Sequence, residues 1–365
     1  MVRVIDNDFL WRQEKGPIFD RGGIMRGVSK YYKGSSVDVV RPPIIRFPVF
    51  DLVSIVLFHP YIIYRQIRDY KPDVVFGFGI LNTFFANIIS KILNVPFVYY
   101  LIDSLHTLLE NNVLEYLAKS FEKMTLKNSK HVFTINKALS NYATEMGAKP
   151  ENVKVIPAGI DLDKYEHIDN RDNLRNDLGI KKNDIVLFFM GWLYAFSGIL
   201  EVAQSMNPFS DMSFKLLIVG EGDIYEELRE LSLKNSNIIL TGRVPYNKIP
   251  HLLACSDICL LPAYENKIMH SIVPIKIYEY MASSKPVIAT ELNGLVQEFG
   301  YDSGIIYVKS PYEVLDRALA IFKRNLVDKL GNESLKNVKN NSWENIVATF
   351  ENNIQNIYDK KIVRT

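Results

Sequence analysis

The feature that most constrains the fold is the alternation, along the whole chain, of short apolar runs rich in β-branched residues with segments of helical length. In the first half the predicted strands are VRVI, VDVV, DVVFGF, PFVYYLI, KHVFTI and VKVIP. In the second half they are DIVLFFMGW, KLLIVGEG, NIILTG, ICLLPA, PVIAT and GIIYV. Strands that alternate with helices form parallel sheets with crossover connections. The sequence therefore predicts an α/β protein.

The length of the chain predicts two domains, because 365 residues exceed what one hydrophobic core usually holds. Apolar periodicity stops over residues 156–173, where Gly, Asp and Asn accumulate, and we place the hinge there. We expect a Rossmann-like domain over 1–165, a second over 166–342, and a C-terminal helix within 343–365 that packs back towards the first. Two such sheets would leave a cleft lined by the carboxyl ends of strands, where open α/β sheets bind ligands.

Charge and cysteine content exclude several classes of protein. A net charge of +2 gives no reason to expect a nucleic acid partner. The only cysteines, Cys255 and Cys259, are expected to be buried as small apolar residues rather than to form a disulfide or a zinc site. The amino terminus does not resemble a signal peptide, so we expect a cytoplasmic protein.

One apolar stretch, residues 49–64, raises the question of a membrane. Asp51, His59 and Pro60 interrupt it well short of the ~20 apolar residues of a spanning helix. Two interpretations stay open. The stretch is either a core helix or, since arginines flank it and it is rich in aromatic residues, a face that lies on the cytoplasmic membrane surface.

The segment SIVPIKIYEYMASSKPVIAT, residues 271–290, predicts a helix that begins at Pro274 with Ser271 as its cap. Its free N–H groups and dipole would favour an anion such as a phosphate, and Lys276 in the first turn would suit the same ligand. About one turn later, Glu279 could accept two hydrogen bonds from a vicinal diol such as a ribose. The alternative is a surface helix with a solvated lysine and glutamate.

These residues resemble a known family. PIKIYEYMASSKPVIAT is similar to the donor-binding signature of family 4 glycosyltransferases of the GT-B fold. Further segments agree with that family in order and spacing: VFTINKALSNYATEMGAKPENVKVIPAGIDLDKY, KLLIVGEGDIYEELREL, NIILTGRVPYNKIPHLLACSDICLLPAY and the closing SWENIVATFENNIQNIY.

The resemblance implies two Rossmann-like doubly wound domains, the first for the acceptor and the second for a nucleotide sugar. It implies a glycosyltransferase of hexosyltransferase type that acts in glycan biosynthesis, with retention of configuration and without a metal ion. The acceptor would be a hydroxyl of a glycan or of a lipid-linked sugar. By the same resemblance Glu279 would hold the ribose, and the diphosphate would lie against the backbone of Ser271, Ile272, Val273, Pro274 and Ile275.

The segment GWLYAFSGI departs from the family pattern. Gly191 and Gly198 match, but Trp192 stands where the family has Arg, and Ser197 stands where it has Lys. Each cation on a departing diphosphate is typically worth ~3 kcal/mol of transition-state stabilisation. If the chain is an active enzyme, other cations must replace them, with Lys276 as the first candidate and Lys267 and Arg243 behind it. If not, the protein is a GT-B sensor or scaffold that binds a nucleotide sugar.

A second departure concerns the glutamate that the family places eight residues before Glu279, where this chain has Ser271. Glu265 lies fourteen residues before Glu279 and is either a functional acid of the donor site or an exposed loop residue. His270, in the same loop, is either a phosphate contact or a surface residue.

In the first domain two features are candidates for the site. Gly22 and Gly23 precede an apparent helix and either let a ligand approach the backbone or form an ordinary turn. His106 begins a helix that we predict over 106–126. By resemblance it contacts the donor sugar, where a neutral imidazole could donate a hydrogen bond; the alternative is a buried or capping histidine. Asp103 orients His106 or contacts the acceptor; the alternative is that it caps the helix.

Overall fold

The computed structural model describes residues 2–6, 16–29, 34–48, 50–109, 111–166, 171–206 and 214–362, with side chains to 359. The chain forms two compact units. Unit 1 consists of Met1–Thr134, Ser140–Val155 and Asn352–Thr365. Unit 2 consists of Ile135–Leu139 and Ile156–Glu351. The predicted assignment of the acceptor to one domain and the donor to the other stays a prediction.

Unit 1 is an α/β unit with one all-parallel sheet. Its strands are β1 (Arg3–Ile5), β2 (Phe19–Asp20), β3 (Gly23–Val28), β4 (Val37–Arg41), β5 (Ile44–Ile45), β6 (Val75–Gly77), β7 (Phe97–Leu101), β8 (Val132–Thr134) and β9 (Val153–Val155). Strands β6-β7-β8-β9 form the parallel sheet, β1-β4-β3 form a mixed sheet, and β2 pairs with β5. The helices α1 (Phe50–Tyr70), α2 (Leu81–Ile92), α3 (Asn112–Asn128) and α4 (Lys137–Glu145) connect them, α4 beginning in unit 2.

The six strands predicted for the first half are all present, but the element after Gly22 and Gly23 was predicted wrongly. Instead of a helix, Gly23 begins β3, which runs antiparallel to β4 and pairs Gly23 with Arg41. The run GIMRGV forms a strand because it pairs with β4 at the edge of a sheet. Local sequence does not reveal such a contact.

The predicted helix over 106–126 also needs correction. Residues Leu105–Leu108 form a 3-10 turn, and α3 begins only at Asn112. The Asn111 side chain accepts hydrogen bonds from the backbone N–H groups of Val113 (3.0 Å) and Leu114 (3.1 Å). An asparagine that bonds in this way starts a helix, because it satisfies amides that lack an intrahelical partner.

Residues 50–64 of the apolar stretch lie in α1, and residue 49 lies outside the described residues. The inner face of α1 buries Ile55, His59, Ile63 and Ile67, as the core-helix interpretation expects. Its outer face is exposed and is defined here by Phe50, Val53, Leu57, Tyr61 and Tyr64. Among the described residues, no helix combines the length and the apolar character that crossing a bilayer requires.

Unit 2 contains a six-stranded parallel sheet, and all six strands predicted for this half are present. The strands are β10 (Ile185–Met190), β11 (Phe214–Val219), β12 (Ile238–Leu240), β13 (Ile258–Leu261), β14 (Val287–Thr290) and β15 (Ile305–Val308). The helices are α5 (Asp163–Glu166), α6 (Arg171–Asp177), α7 (Ile199–Ser205), α8 (Tyr225–Lys234), α9 (Ile249–Cys255), α10 (Ile275–Ala282), α11 (Asn293–Phe299), α12 (Val314–Lys323), α13 (Val327–Val338) and α14 (Trp343–Ile362), whose second half belongs to unit 1.

The strand order β12-β11-β10-β13-β14-β15 makes this sheet doubly wound. The chain moves outward from β10 in one direction and then returns to β13 to build the other half. Such a reversal is a topological switch point, and ligands bind outside the carboxyl ends of the two strands that flank it. The residues that follow β10 and β13 therefore lie where a ligand is expected.

The core of unit 2 covers both faces of the sheet, which explains the nearly continuous apolar strands. In β10, Val186, Phe188 and Met190 belong to one buried cluster, while Leu187 and Phe189 belong to the other. Helices α9 and α10 pack into the first cluster, and α7, α8 and α12 into the second. The two cysteines are free and buried, as predicted.

Candidate functional site

The amino end of α10 is the centre of the predicted donor site. Pro274 occupies the cap position with extended backbone (φ −61°, ψ 134°), and the first helical residue is Ile275. The prediction of Ser271 as the cap is wrong, because it lies three residues too early. The Ser271 carbonyl instead accepts a hydrogen bond from the Asn136 side chain at 3.1 Å. The positive end of the helix dipole is nevertheless where the sequence placed it.

Residues 271–273 are held from the side by α11. A β-carbon on Gly294, near the start of α11, would lie 2.8 Å from the Ile272 carbonyl oxygen. Only glycine lets the two backbones approach this closely. The predicted phosphate-binding backbone at Ile272 and Val273 is therefore fixed by a contact with the next helix.

Lys276 lies in the first turn of α10 and reaches the residue that follows β10. Its Nζ is 4.4 Å from the centre of the buried Phe189 ring. A β-carbon on Gly191, which has a φ of 125°, would lie 2.9 Å from the same Nζ. Burial lowers the pKa of Lys276 to about 8, and the charge of Glu279 opposes that shift. The structure thus places a cation beside Gly191, at the carboxyl end of β10.

Glu279 lies one turn further along α10 and is 6% exposed. Its Oε1 accepts hydrogen bonds from the hydroxyl of Tyr165 (3.0 Å) and from that of Tyr246 (2.6 Å). Burial raises the pKa of Glu279, while the two tyrosines act in the opposite direction. The carboxylate is therefore held in one orientation by residues of α5 and of the turn Tyr246–Lys248.

Sequence reasoning missed both tyrosines. They lie 114 and 33 residues from Glu279, so no local pattern joins them to it. The available signal was their position in two quoted segments, at the end of GIDLDKY and after GRVP.

Trp192 and Ser197, the two departures from the family pattern, lie in the loop from Gly191 to Gly198 and carry no charge. Trp192 is 54% exposed, and its ring lies 6.2 Å from that of Tyr194. Ser197 is buried, and its Oγ has no hydrogen-bond partner within the described part of the chain. Gly198 has a φ of 71°, and a β-carbon there would overlap the Pro262 carbonyl. Arg243, a second candidate cation, is exposed.

Glu265 and His270 pair with each other. The His270 Nδ1 lies 2.5 Å from the Glu265 Oε1, and both side chains are about half exposed. The His270 carbonyl accepts a hydrogen bond from the Gly294 N–H (3.0 Å). This loop is therefore held by its own hydrogen bond and by α11.

The candidates in unit 1 occupy two places. His106 is buried, with its Nδ1 3.1 Å from the Glu122 Oε2 and its ring stacked on Tyr142. The Asp103 carboxylate accepts a hydrogen bond from the Ser104 N–H (2.7 Å), and burial raises its pKa. The capping interpretation is wrong, because Ser104 occupies the cap position of the 3-10 turn that follows and Asp103 lies one residue before it.

Gly22, in the other candidate region of unit 1, lies directly before β3 and adopts a turn conformation. It has a φ of 65°, and its N–H donates to the Asp20 carboxylate (2.9 Å). A β-carbon there would overlap the Arg41 carbonyl. Both glycines of the predicted pair therefore contact Arg41 across the edge of the mixed sheet.

The fold and this site define a protein of the GT-B class, with two Rossmann-like units and a helix amino terminus at the switch point of the second. Residues 15–164 match the sequence model of the family described as Glycosyltransferase Family 4, and residues 184–323 match that of Glycosyl transferases group 1. The chain belongs to the family 4 glycosyltransferases, which confirms the resemblance.

Individual relatives agree with this assignment. The chain is 25% identical over 251 residues to the uncharacterized glycosyltransferase MJ1069 of Methanocaldococcus jannaschii. The aligned region covers 66% of this chain and 62% of that protein. It is 24% identical over 246 residues to the Escherichia coli UDP-Gal:alpha-D-GlcNAc-diphosphoundecaprenol alpha-1,3-galactosyltransferase. This aligned region covers 64% of this chain and 61% of that protein. The chain thus spans about three fifths of the length of these two relatives.

A solved structure shows the same fold. The Anabaena protein Alr3699/HepE, in complex with UDP, superposes with a TM-score of 0.69 at 16% identity, covering 88% of this chain and 86% of that one. This likeness confirms the GT-B fold predicted from the sequence.

Proposed function

We propose that the protein transfers a glycosyl unit from a nucleoside diphosphate sugar to a hydroxyl of a glycan or lipid-linked acceptor, with retention of configuration. The observation that carries the proposal is the arrangement on α10. A helix amino terminus, a half-buried cation and an oriented carboxylate follow one another within two turns. Family membership supports the same class of reaction.

Each part of α10 has a role in this proposal. The N–H groups at its amino end bind the diphosphate, as helix termini do. Glu279 accepts hydrogen bonds from the ribose hydroxyls, with its orientation set by Tyr165 and Tyr246. Lys276 neutralises charge on the departing diphosphate and takes the place of the cations absent at Trp192 and Ser197.

The same proposal covers the co-reactants. The reaction needs no metal ion, because Lys276 and the helix terminus supply the positive charge. The leaving phosphate takes the proton of the acceptor hydroxyl on the face that the nucleotide vacates, which gives retention. Activity in excess EDTA should equal activity without it, and a loss restored by Mg²⁺ would contradict this part of the proposal.

The test is release of a nucleoside diphosphate from a panel of nucleotide sugars in the presence of candidate acceptors. UDP-sugars come first, because the Anabaena structure contains UDP and the E. coli relative is named for UDP-galactose. The wild type should release the diphosphate with at least one donor, and Glu279→Ala should weaken donor binding. No release with any donor, despite tight binding, would contradict the enzymatic proposal.

That outcome would favour the second candidate, a GT-B protein that binds a nucleotide sugar as a sensor or scaffold. Trp192 and Ser197 favour this candidate, because neither carries the charge that the family pattern supplies. The two candidates differ in turnover and not in binding. Thermal shift and product release must therefore be measured on the same samples.

We also propose that the protein works as a peripheral protein on the cytoplasmic face of a membrane. The outer face of α1 supports this proposal, because it exposes an apolar and aromatic stripe next to Arg65 and Arg68. An interfacial helix combines the same two features. A lipid-linked acceptor would lie at the same surface.

A further inference from the structure

A buried polar cluster in unit 1 joins His106, a candidate from the sequence, to a glutamate that the sequence analysis did not single out. Its centre is Glu122 on α3, which is 1% exposed. The Glu122 Oε1 accepts a hydrogen bond from the Tyr99 hydroxyl (3.2 Å), and Oε2 accepts one from the Tyr142 hydroxyl (2.5 Å). The same Oε2 lies 3.1 Å from the His106 Nδ1. Three hydrogen-bond donors from β7, α4 and the 3-10 turn therefore converge on one carboxylate.

The direction of these hydrogen bonds follows from which groups can lose a proton. Burial, and then the charge of Glu122, raise the pKa of both Tyr99 and Tyr142 well above the usual range of a phenol. The tyrosines therefore keep their protons and donate. Asp103 is the other nearby acid, and its pKa is also raised by burial and by Glu122. Glu122 is the common acceptor, because an ionised carboxylate only accepts.

We infer that Glu122 holds His106 as the tautomer with its proton on Nδ1 and its lone pair on Nε2. A ring nitrogen 3.1 Å from an ionised carboxylate carries the proton, and a neutral imidazole has only one. Nε2 is then an acceptor. This reverses the expectation that the imidazole donates a hydrogen bond.

The consequence concerns the ligand, and it rests on the proposed function. If His106 contacts the transferred sugar, Nε2 recognises a hydroxyl hydrogen and discriminates against a group that only accepts, such as a fluorine or a carbonyl at the same carbon. Glu122 is then a positioning residue that acts through His106. Tyr142 fixes the plane of the imidazole, because the two rings stack at 5.9 Å with 16° between them.

The test reads the tautomer directly. Full-length protein labelled with ¹⁵N-histidine is studied by NMR at a pH where His106 is neutral, and His106→Gln assigns its signals. The wild type should carry the proton on Nδ1. In Glu122→Leu the preference should be lost, giving a mixture or the opposite tautomer. Thr125→Val is the matched control, since Thr125 is buried on the same helix and its hydroxyl donates a hydrogen bond to the Phe121 carbonyl.

A second variant covers the possibility that Glu122→Leu fails to fold. Glu122→Gln keeps the shape, but its amide cannot accept from all three donors, so a mixed tautomer is expected there too. The inference is overturned if wild-type His106 carries its proton on Nε2. It is equally overturned if a folded Glu122 variant keeps the wild-type tautomer.

Kinetics then separate this inference from the proposed function. Glu122→Gln should lower kcat/KM by about tenfold, the loss expected for one hydrogen bond, and leave the Kd of UDP unchanged. UDP is bound by unit 2 in the proposed function, so its Kd reports on that unit. A wild type that shows the Nδ1 tautomer but no transfer contradicts the enzymatic function alone. Unchanged kcat/KM in a variant with an altered tautomer contradicts the role of Nε2.

Discussion

At the residue scale, the orientation of Glu279 depends on two tyrosines from other elements. A buried carboxylate that accepts two hydroxyl hydrogen bonds has lost the solvation that it had in the unfolded chain and regained part of it from the protein. Removing one donor leaves that oxygen under-satisfied. Tyr165 is the more informative of the two, because it is 7% exposed while Tyr246 is 53% exposed.

Tyr165→Phe should therefore lower the free energy of unfolding by about 1–3 kcal/mol, the range for a hydrogen bond to a charged group. Tyr307→Phe is a matched control, because the Tyr307 hydroxyl is buried and has no hydrogen-bond partner among the described residues. Its removal should be neutral or stabilising. Urea denaturation of both variants measures the difference, and equal values would show that the bond to Glu279 adds nothing.

Lys276 gives a prediction in which binding and stability respond to pH in opposite directions. Its pKa of about 8 in the folded protein lies below the ordinary value of 10.5. The protonated lysine attracts a diphosphate, so UDP affinity should be constant near pH 7 and fall as pH rises through about 8. Isothermal titration of the wild type and of Lys276→Met checks this, and the variant should bind more weakly without that pH dependence.

The stability of the unliganded protein should change the other way. Between pH 8 and 10.5 the unfolded chain binds more protons at Lys276 than the folded one does, so the free energy of unfolding rises with pH over this window. Lys276→Met should lack this contribution. A wild type whose pH profile matches that of the variant would contradict the buried position of the ammonium group.

Sequence alone proposed Glu279 and Lys276 as candidates because both lie in one local motif on one helix. It did not identify Glu122, which lies in the middle of a helix and resembles any surface glutamate. The neighbours that make Glu122 special are Tyr99, His106 and Tyr142, on three other elements. Contacts across such separations are fixed by the tertiary fold, so no periodicity in the sequence reveals them.

At the element scale, the first glycine pair illustrates how a local signal can support the wrong element. Gly22 and Gly23 were predicted to lead into a helix, and they lead into β3. Gly22 adopts a positive φ and passes close to the Arg41 carbonyl, whereas a β-carbon on Gly23 would have nothing within 4 Å. The two glycines therefore differ in what they contribute to the β3–β4 hairpin.

Gly22→Ala should destabilise the protein, because it combines a strained φ with a clash against main-chain atoms. The expected loss is about 2 kcal/mol or more, in the range of special backbone positions. Gly23→Ala should lie within about 0.5 kcal/mol of the wild type. Thermal unfolding of the two variants checks the contrast. Equal losses would indicate that the pair serves something other than the hairpin.

At the scale of the whole molecule, the sequence predicted the α/β fold well because the sheets obey simple rules. Twelve predicted strands are present, and in unit 2 each fully buried strand is a continuous apolar run such as IVLFFM. What the sequence did not supply is β3, the third strand of the mixed sheet of unit 1, and the separate pair formed by β2 and β5. These three short strands have no strong apolar alternation and depend on pairing partners.

The outer face of α1 supports the proposal of a membrane-associated protein, and its charge favours an anionic bilayer. Leu57 is 62% exposed and Tyr61 is 60% exposed. Arg65 and Arg68 both lie near Asp69, which leaves one positive charge in excess at this end of the helix. Apolar burial and attraction to anionic headgroups act together in such helices, at about 1 kcal/mol for each basic residue near the surface.

We therefore expect the protein to sediment with vesicles that contain phosphatidylglycerol more strongly than with pure phosphatidylcholine, and the bound fraction to fall at high salt. The double variant Val53→Asp, Leu57→Asp should reduce binding to the anionic vesicles about tenfold, because it places two negative charges on the outer face of α1. Leu233→Asp is the matched control, since Leu233 is 77% exposed on α8 of unit 2. If the double variant binds as the wild type does, this face of α1 does not contact lipid.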